Sequence, residues 1–181
     1  MNSQIENTKA KTQISKNVYL LVVTAIFIAL TLVSTMFINI RLPFMGSGGL
    51  IHLGNIPLFI AAMLYGRKTG AIVGAIGMGT FDIMSGWVAW APFTFVIVGL
   101  MGYIIGLLYE KKPIKNAHIL NIFIIFIAVL IKVIGYYFAE VLIYSNWILP
   151  LGSIPGNILQ VTIAGIIITP IIDRLKKYTN K

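Results

Sequence analysis

The sequence predicts an all-α membrane protein: a single compact bundle of six transmembrane helices, with the N- and C-termini both on the cytoplasmic side. Three observations carry this expectation. The 181 residues are 58% hydrophobic and 10% charged, whereas an ordinary soluble domain is about 25% charged. Apolar runs recur near the length of about 20 residues that roughly 30 Å of hydrocarbon requires. Lys and Arg are sorted to one side of those runs. Lys9, Lys11 and Lys16 precede the first run, and Arg67 and Lys68 join the second to the third. Lys111, Lys112 and Lys115 join the fourth to the fifth, and Arg174, Lys176, Lys177 and Lys181 follow the sixth. The alternate connections carry only Arg41, so the positive-inside rule places both termini in the cytoplasm.

The first span, Val18–Ile40, is too long for the apolar region of a signal peptide, and five more spans follow it. Ile51–Gly66 and Thr69–Ser85 are shorter and contain polar residues. Trp90–Tyr109 and His118–Tyr144 are long and apolar. Pro155–Ile172 opens on a proline suited to a first helical turn. Residues 1–17 read as a disordered cytoplasmic tail, 18–175 as the membrane domain and 176–181 as a cytoplasmic tail.

The net charge of +9 is accounted for by topology and contact with anionic lipid, without a nucleic-acid partner. The chain has no cysteine, which excludes disulfides, thiolate metal sites and a catalytic thiol. Gly66-Arg67-Lys68-Thr69 lacks the spacing of a phosphate-binding loop, and neither H-E-x-x-H nor G-x-S-x-G occurs. The expectation is a chain with no catalytic residues, no metal and no bound cofactor. Uphill transport then draws on an ion gradient or on a partner ATPase.

Charged residues inside spans cost about 2.5–3.5 kcal/mol each at mid-helix, so they usually have partners or functions. Asp82, Lys132 and Gln160 each stand roughly 20 Å from the inner end of their helix at about 1.5 Å per residue. Asn157 lies one turn further out. Lys132, Tyr136 and Glu140 recur at helical spacing on one face. His52 and Asn55 open the second span, and Trp87 and Trp90 lie before and at the start of the fourth. These residues gather at the outer third of the membrane, as aromatic walls with a few placed polar groups, which is what a small planar ligand needs. Plainer readings stand beside this one. Asp82–Lys132 is also a candidate structural ion pair. Trp87, Trp90 and Trp147 suit an interfacial belt. His52 and Asn55 suit a helix cap ahead of Pro57, and Asn157 and Gln160 suit bonds between helices. Gly46, Gly48 and Gly49 in the first outer connection, and Ser145–Ile154 in the last, are candidate lids. Gly70–Gly74, Gly102–Gly106 and Ala25–Ala29 are small-residue pairs that allow close helix contact.

The block from Gly48 to Gly106 resembles the substrate-binding S components of energy-coupling factor (ECF) vitamin transporters. The pieces that carry the resemblance are Gly49–Asn55 (GLIHLGN), Asp82–Gly86 (DIMSG), Trp90–Thr94 (WAPFT) and Pro155–Gln160 (PGNILQ). The subgroup it most resembles is that for hydroxymethylpyrimidine, pyridoxine-like or riboflavin-like substrates. Asn55 departs from the Asp common at that position, which bears on the ligand or the local charge. The resemblance implies a subunit that captures a vitamin or precursor from outside the bacterial cell. It implies delivery together with a transmembrane coupling protein and two cytoplasmic ATPases, which use the ATP. It also implies that Ala25 and Ala29 contact the coupling protein. On this reading Trp87, Trp90 and Tyr136 enclose a ring. His52, Asn55, Asp82, Asn157 and Gln160 orient its polar atoms, and Lys132 pairs with Asp82 or contacts the ligand. Hydroxymethylpyrimidine or a vitamin B6 vitamer is the first expectation, and riboflavin or pantothenate the second. An autonomous secondary carrier or small channel, with Asp82 and Lys132 as an ion relay, is the alternative class.

Overall fold

A computed structural model describes residues 2–41 and 50–179, with side chains from 12–40 and 50–178. Six α-helices occur among them: α1 (Asn2–Phe37), α2 (Asn55–Tyr65), α3 (Arg67–Met84), α4 (Ala91–Lys111), α5 (Ala117–Tyr144) and α6 (Ile154–Thr179). The first helix starts at Asn2 and so runs through the segment expected to be a disordered tail.

Two expectations about the fold class are corrected. Among the described residues four helical stretches, not six, are long and apolar enough to cross a membrane: Thr12–Phe37, Ala91–Lys111, Ala117–Tyr144 and Leu149–Tyr178. With 11 residues, α2 extends only about 16 Å, short of the hydrocarbon thickness. The 18 residues of α3 include Arg67, Lys68 and Asp82, which dilute its hydropathy. The fold is also not purely helical. Strands β1 (Asn39–Arg41) and β2 (Leu50–His52) pair antiparallel, Ile40 opposite Ile51. The apolar run that begins at Ile51 therefore starts as a strand, and α2 begins only at Asn55. The glycines of the first candidate lid lie outside the described residues.

Glycine lets α2, α3 and α4 approach backbone to backbone. A Cβ on Gly102 would stand 2.2 Å from the Gly70 carbonyl oxygen, and one on Gly70 would stand 2.6 Å from both Ala62 Cβ and the Gly102 oxygen. The two small-residue pairs read from the sequence thus form the α3–α4 seam. The core around it is built from Leu58, Phe59, Val73, Val98, Met101 and Ile105, and continues through Ile124 of α5 and Val161, Ile168 and Ile172 of α6.

The α3–α4 connection is short and turns sharply. The Trp87 N–H donates to the Asp82 carbonyl at 2.8 Å, and Gly86 takes the left-handed conformation, φ +84°. This is the glycine-closed helix end expected of a Schellman motif. The final connection, the second candidate lid, is a capped turn. Asn146 Oδ1 accepts from the Ile148 and Leu149 N–H groups at 2.7 and 3.0 Å, and a 3₁₀ turn, Leu149–Ser153, leads into α6.

Candidate substrate-binding site

One cavity lies where the C-terminal ends of α3 and α5 meet the N-terminal ends of α4 and α6, with β2 beside them. It is the end of the bundle opposite the basic turns. Thr35, Leu50, His52, Met78, Phe81, Asp82, Trp87, Trp90, Thr94, Lys132, Tyr136, Glu140, Asn157 and Gln160 line it. Eight of the nine residues expected to contact substrate are therefore brought together, from three helices, a strand and the α3–α4 turn. The ninth, Asn55, does not line the cavity. It is fully buried behind Gln160, to whose Oε1 its Nδ2 donates at 3.5 Å.

Lys132, Tyr136 and Glu140 all face inward from α5, as their spacing predicts. Lys132 is buried and donates to Gln160 Oε1 at 2.9 Å. Its Nζ stands 5.7 Å from the centre of the Tyr136 ring. The Gln160 amide nitrogen donates to the Leu50 carbonyl at 3.3 Å and to Asn157 Oδ1 at 3.2 Å. Gln160 thus ties β2, α2, α5 and α6 together.

Asp82 makes a separate network. Thr94 donates to Asp82 Oδ2 and lies 2.9 Å from the Tyr136 hydroxyl. Asp82 and Lys132 share the cavity without forming the ion pair considered from the sequence. Among the described residues the salt bridge is elsewhere, between Arg67 and Glu110 at 3.7 Å. Each charged group in the cavity has instead been given a neutral polar partner. This satisfies part of its hydrogen-bonding capacity and leaves the rest open to a ligand.

The aromatic residues close one wall. Trp87 and Trp90 meet edge to face at 5.0 Å, and Trp90 meets Tyr144 at 5.8 Å. They sit in and beside the tight α3–α4 turn. Glu140, also buried, stands against the side chains of Ser153 and Trp90. His52 is held by strand pairing, and its Nδ1 accepts from the Gly54 N–H at 3.3 Å. With Nδ1 accepting, the ring proton stands on Nε2. A Cβ at Gly54 would lie 2.0 Å from Thr35 Oγ1 and 3.2 Å from His52 Nδ1, so glycine is required for this packing.

Five lining residues were not singled out from the sequence: Thr35, Leu50, Met78, Phe81 and Thr94. Met78 precedes Asp82 by one helical turn and shares its face, a signal available in the sequence. Thr94 ends the motif Trp90–Thr94 yet looks like an ordinary residue of an apolar helix. Thr35 belongs to the most apolar-looking span and Leu50 to the unrecognised strand, and neither has a local mark.

Ala25 and Ala29 are both exposed on α1. Val22, Ile26, Leu30 and Val33 around them are 46–53% exposed.

Comparison with known proteins gives a consistent picture. An uncharacterised protein of Pyrococcus woesei is 36% identical over 74 residues, 41% of this chain and 48% of that one. The thiamine precursor transporter HmpT of Lactococcus lactis subsp. cremoris is 28% identical over 164 residues, 88% of this chain and 91% of HmpT. Among solved structures, the S component of a bacterial ECF transporter superposes with TM-score 0.69 at 19% identity, covering 91% of this chain and 99% of that one. The S component for biotin from an ECF-type ABC transporter gives 0.68 at 20% identity, covering 90% and 93%. These two share the fold. A family model for the ECF-type riboflavin transporter S component matches residues 15–177, and the chain accordingly belongs to that family of membrane transport subunits.

Proposed function

We propose that this chain captures a one-ring vitamin precursor, hydroxymethylpyrimidine or a vitamin B6 vitamer, for an ECF-type importer. The observation that carries the reading is the size and lining of the cavity. The volume open to the centres of water molecules is about 60 Å³. At roughly 10–15 Å³ per water that is room for about four to six waters, or on the order of 120–180 Å³ of liquid. A single substituted ring fits such a space. Aromatic walls supply stacking, and Asp82, Lys132, Asn157 and His52 supply polar atoms for a nitrogen heterocycle. The likeness to a thiamine precursor transporter along nearly its whole length points the same way.

In this reading the site faces outward, with both termini in the cytoplasm of a bacterial cell and the basic turns toward anionic lipid. The chain binds no cofactor. A transmembrane coupling protein docks at the exposed Ala25–Ala29 face, and two cytoplasmic ATPases use the ATP.

The test is equilibrium titration of the detergent-purified chain with hydroxymethylpyrimidine, pyridoxine, riboflavin and pantothenate. Tight one-to-one binding of one of the first two is expected. Asp82→Asn weakens it by roughly tenfold to a hundredfold, the effect of about 1.5–3 kcal/mol for a hydrogen bond to a charged group. Unchanged affinity in both Asp82→Asn and Gln160→Ala, with the protein folded, places the ligand elsewhere. A riboflavin reading is favoured by the description of the matching family, and exclusive binding of riboflavin supports it.

A further inference from the structure

The two hydrogen-bond networks in the cavity propagate polarity, and their charged members determine which way. Lys132 can only donate and the Leu50 carbonyl can only accept. Between them Gln160 has a single orientation, oxygen toward Lys132 and nitrogen toward Leu50. That nitrogen also donates to Asn157, which turns the Asn157 oxygen inward to Gln160 and leaves its NH₂ for the cavity. With Asn55 as a second donor to its oxygen, Gln160 has spent both acceptor positions and both N–H groups and has nothing left for a ligand. Lys132 retains two N–H groups beyond its bond to Gln160. Apart from the Glu140 carboxylate, which takes bonds from the side chains of Ser153 and Trp90, the α5–α6 side of the cavity therefore offers donors.

The α3–α4 side is the reverse. Thr94 gives its one hydroxyl hydrogen to Asp82 Oδ2, so in the Thr94–Tyr136 contact Tyr136 is the donor. Tyr136 thereby keeps no hydroxyl hydrogen for a ligand, and Asp82 presents only acceptors, Oδ1 and the remaining capacity of Oδ2.

We propose that the cavity is coded by polarity. It takes a heterocycle whose exocyclic amine meets Asp82 and whose ring nitrogen or hydroxyl oxygen meets Lys132 and Asn157. It rejects the same ring with an oxo group in place of the amine, and Thr94 is the positioning residue that sets this code, with Gln160 holding the donors in place behind it. The inference rests on the capture function proposed above and narrows its substrate class. An oxo group reverses donor and acceptor along that edge of the ring and sets its oxygen against the carboxylate. A buried site built for a donor discriminates strongly against such an exchange, because its own groups are left unpaired.

The experiment is calorimetric titration of the full chain in detergent with aminated hydroxymethylpyrimidine and with its oxo counterpart. Wild-type protein is expected to prefer the amine by at least about 100-fold. Thr94→Val narrows the preference to below about tenfold, and Thr94→Ser restores it, because the hydroxyl and not the packing holds Asp82. Gln160→Leu weakens both ligands by a similar factor and preserves their ratio, as a residue behind the donors should. Comparable wild-type affinity for the two rings overturns the polarity code while leaving the capture function intact. A Thr94→Val protein that keeps the full wild-type preference removes Thr94 from it. Binding of neither ring by folded protein overturns this inference together with the function it rests on.

Discussion

The membrane stretch of α1 and helix α4 are similarly apolar, with mean hydropathies of 2.5 and 2.1, yet 11% of the first is buried in the protein and 50% of the second. The difference lies in small residues and in what they face. In α4, Gly99, Gly102 and Gly106 let α3 approach to backbone contact. In α1, Ala25 and Ala29 face outward from the bundle, and among its described side chains burial is confined to Val23, Thr31 and Thr35. Small residues on one helix make an internal seam and on the other leave a shallow apolar face open to lipid or to another chain. Hydropathy alone does not separate the two cases, because hydrocarbon and a protein core are equally apolar surroundings.

Substitutions at these small residues sharpen the contrast. Gly102→Ala is expected to be the most damaging, since its Cβ meets a backbone oxygen that has nowhere to move. The cost is about 3 kcal/mol or more, read as a large fall in the thermal melting temperature in detergent, or as no folded protein at all. Gly77→Ala tests the smaller α1–α3 contact. Its Cβ stands 2.8 Å from Thr31 side-chain carbons rather than from backbone, so a smaller cost of about 1 kcal/mol is expected. Ala25→Trp or Ala29→Trp should leave melting and ligand affinity unchanged, within about 0.5 kcal/mol for an exposed site. Uptake by the assembled transporter should nevertheless fail. Loss of melting temperature in those variants would make the Ala25–Ala29 face an internal contact and erase the distinction from α4.

The parts of the fold legible in the sequence are those written in composition and spacing. The α5 trio of Lys132, Tyr136 and Glu140, the small-residue pairs and the start of α6 at Ile154-Pro155 follow from helical periodicity. The strand pairing was not legible. Leu50-Ile51-His52 is a short apolar run that reads equally as helix or strand, and its partner Asn39–Arg41 continues a long apolar span. The shortness of α2 follows from the same misreading. In the site, charged and aromatic residues announced themselves because they are costly inside an apolar chain. Thr94 did not, since a threonine in an apolar helix is unremarkable until its neighbours across two other helices are known. The Asp82–Lys132 pair failed for a related reason. Equal depth in the bundle is set by sequence position, but which partner each group takes is set by side chains on third helices, Thr94 for one and Gln160 for the other.

The measurement that bears most directly on the capture function is native mass spectrometry of the chain purified gently from cells supplied with thiamine precursors and riboflavin. The expected result is a one-to-one complex whose extra mass is that of a single-ring heterocycle, hydroxymethylpyrimidine or a vitamin B6 vitamer, lost in Asp82→Asn. A complex with riboflavin, or folded protein that remains empty when hydroxymethylpyrimidine and pyridoxine are added in excess, would contradict it.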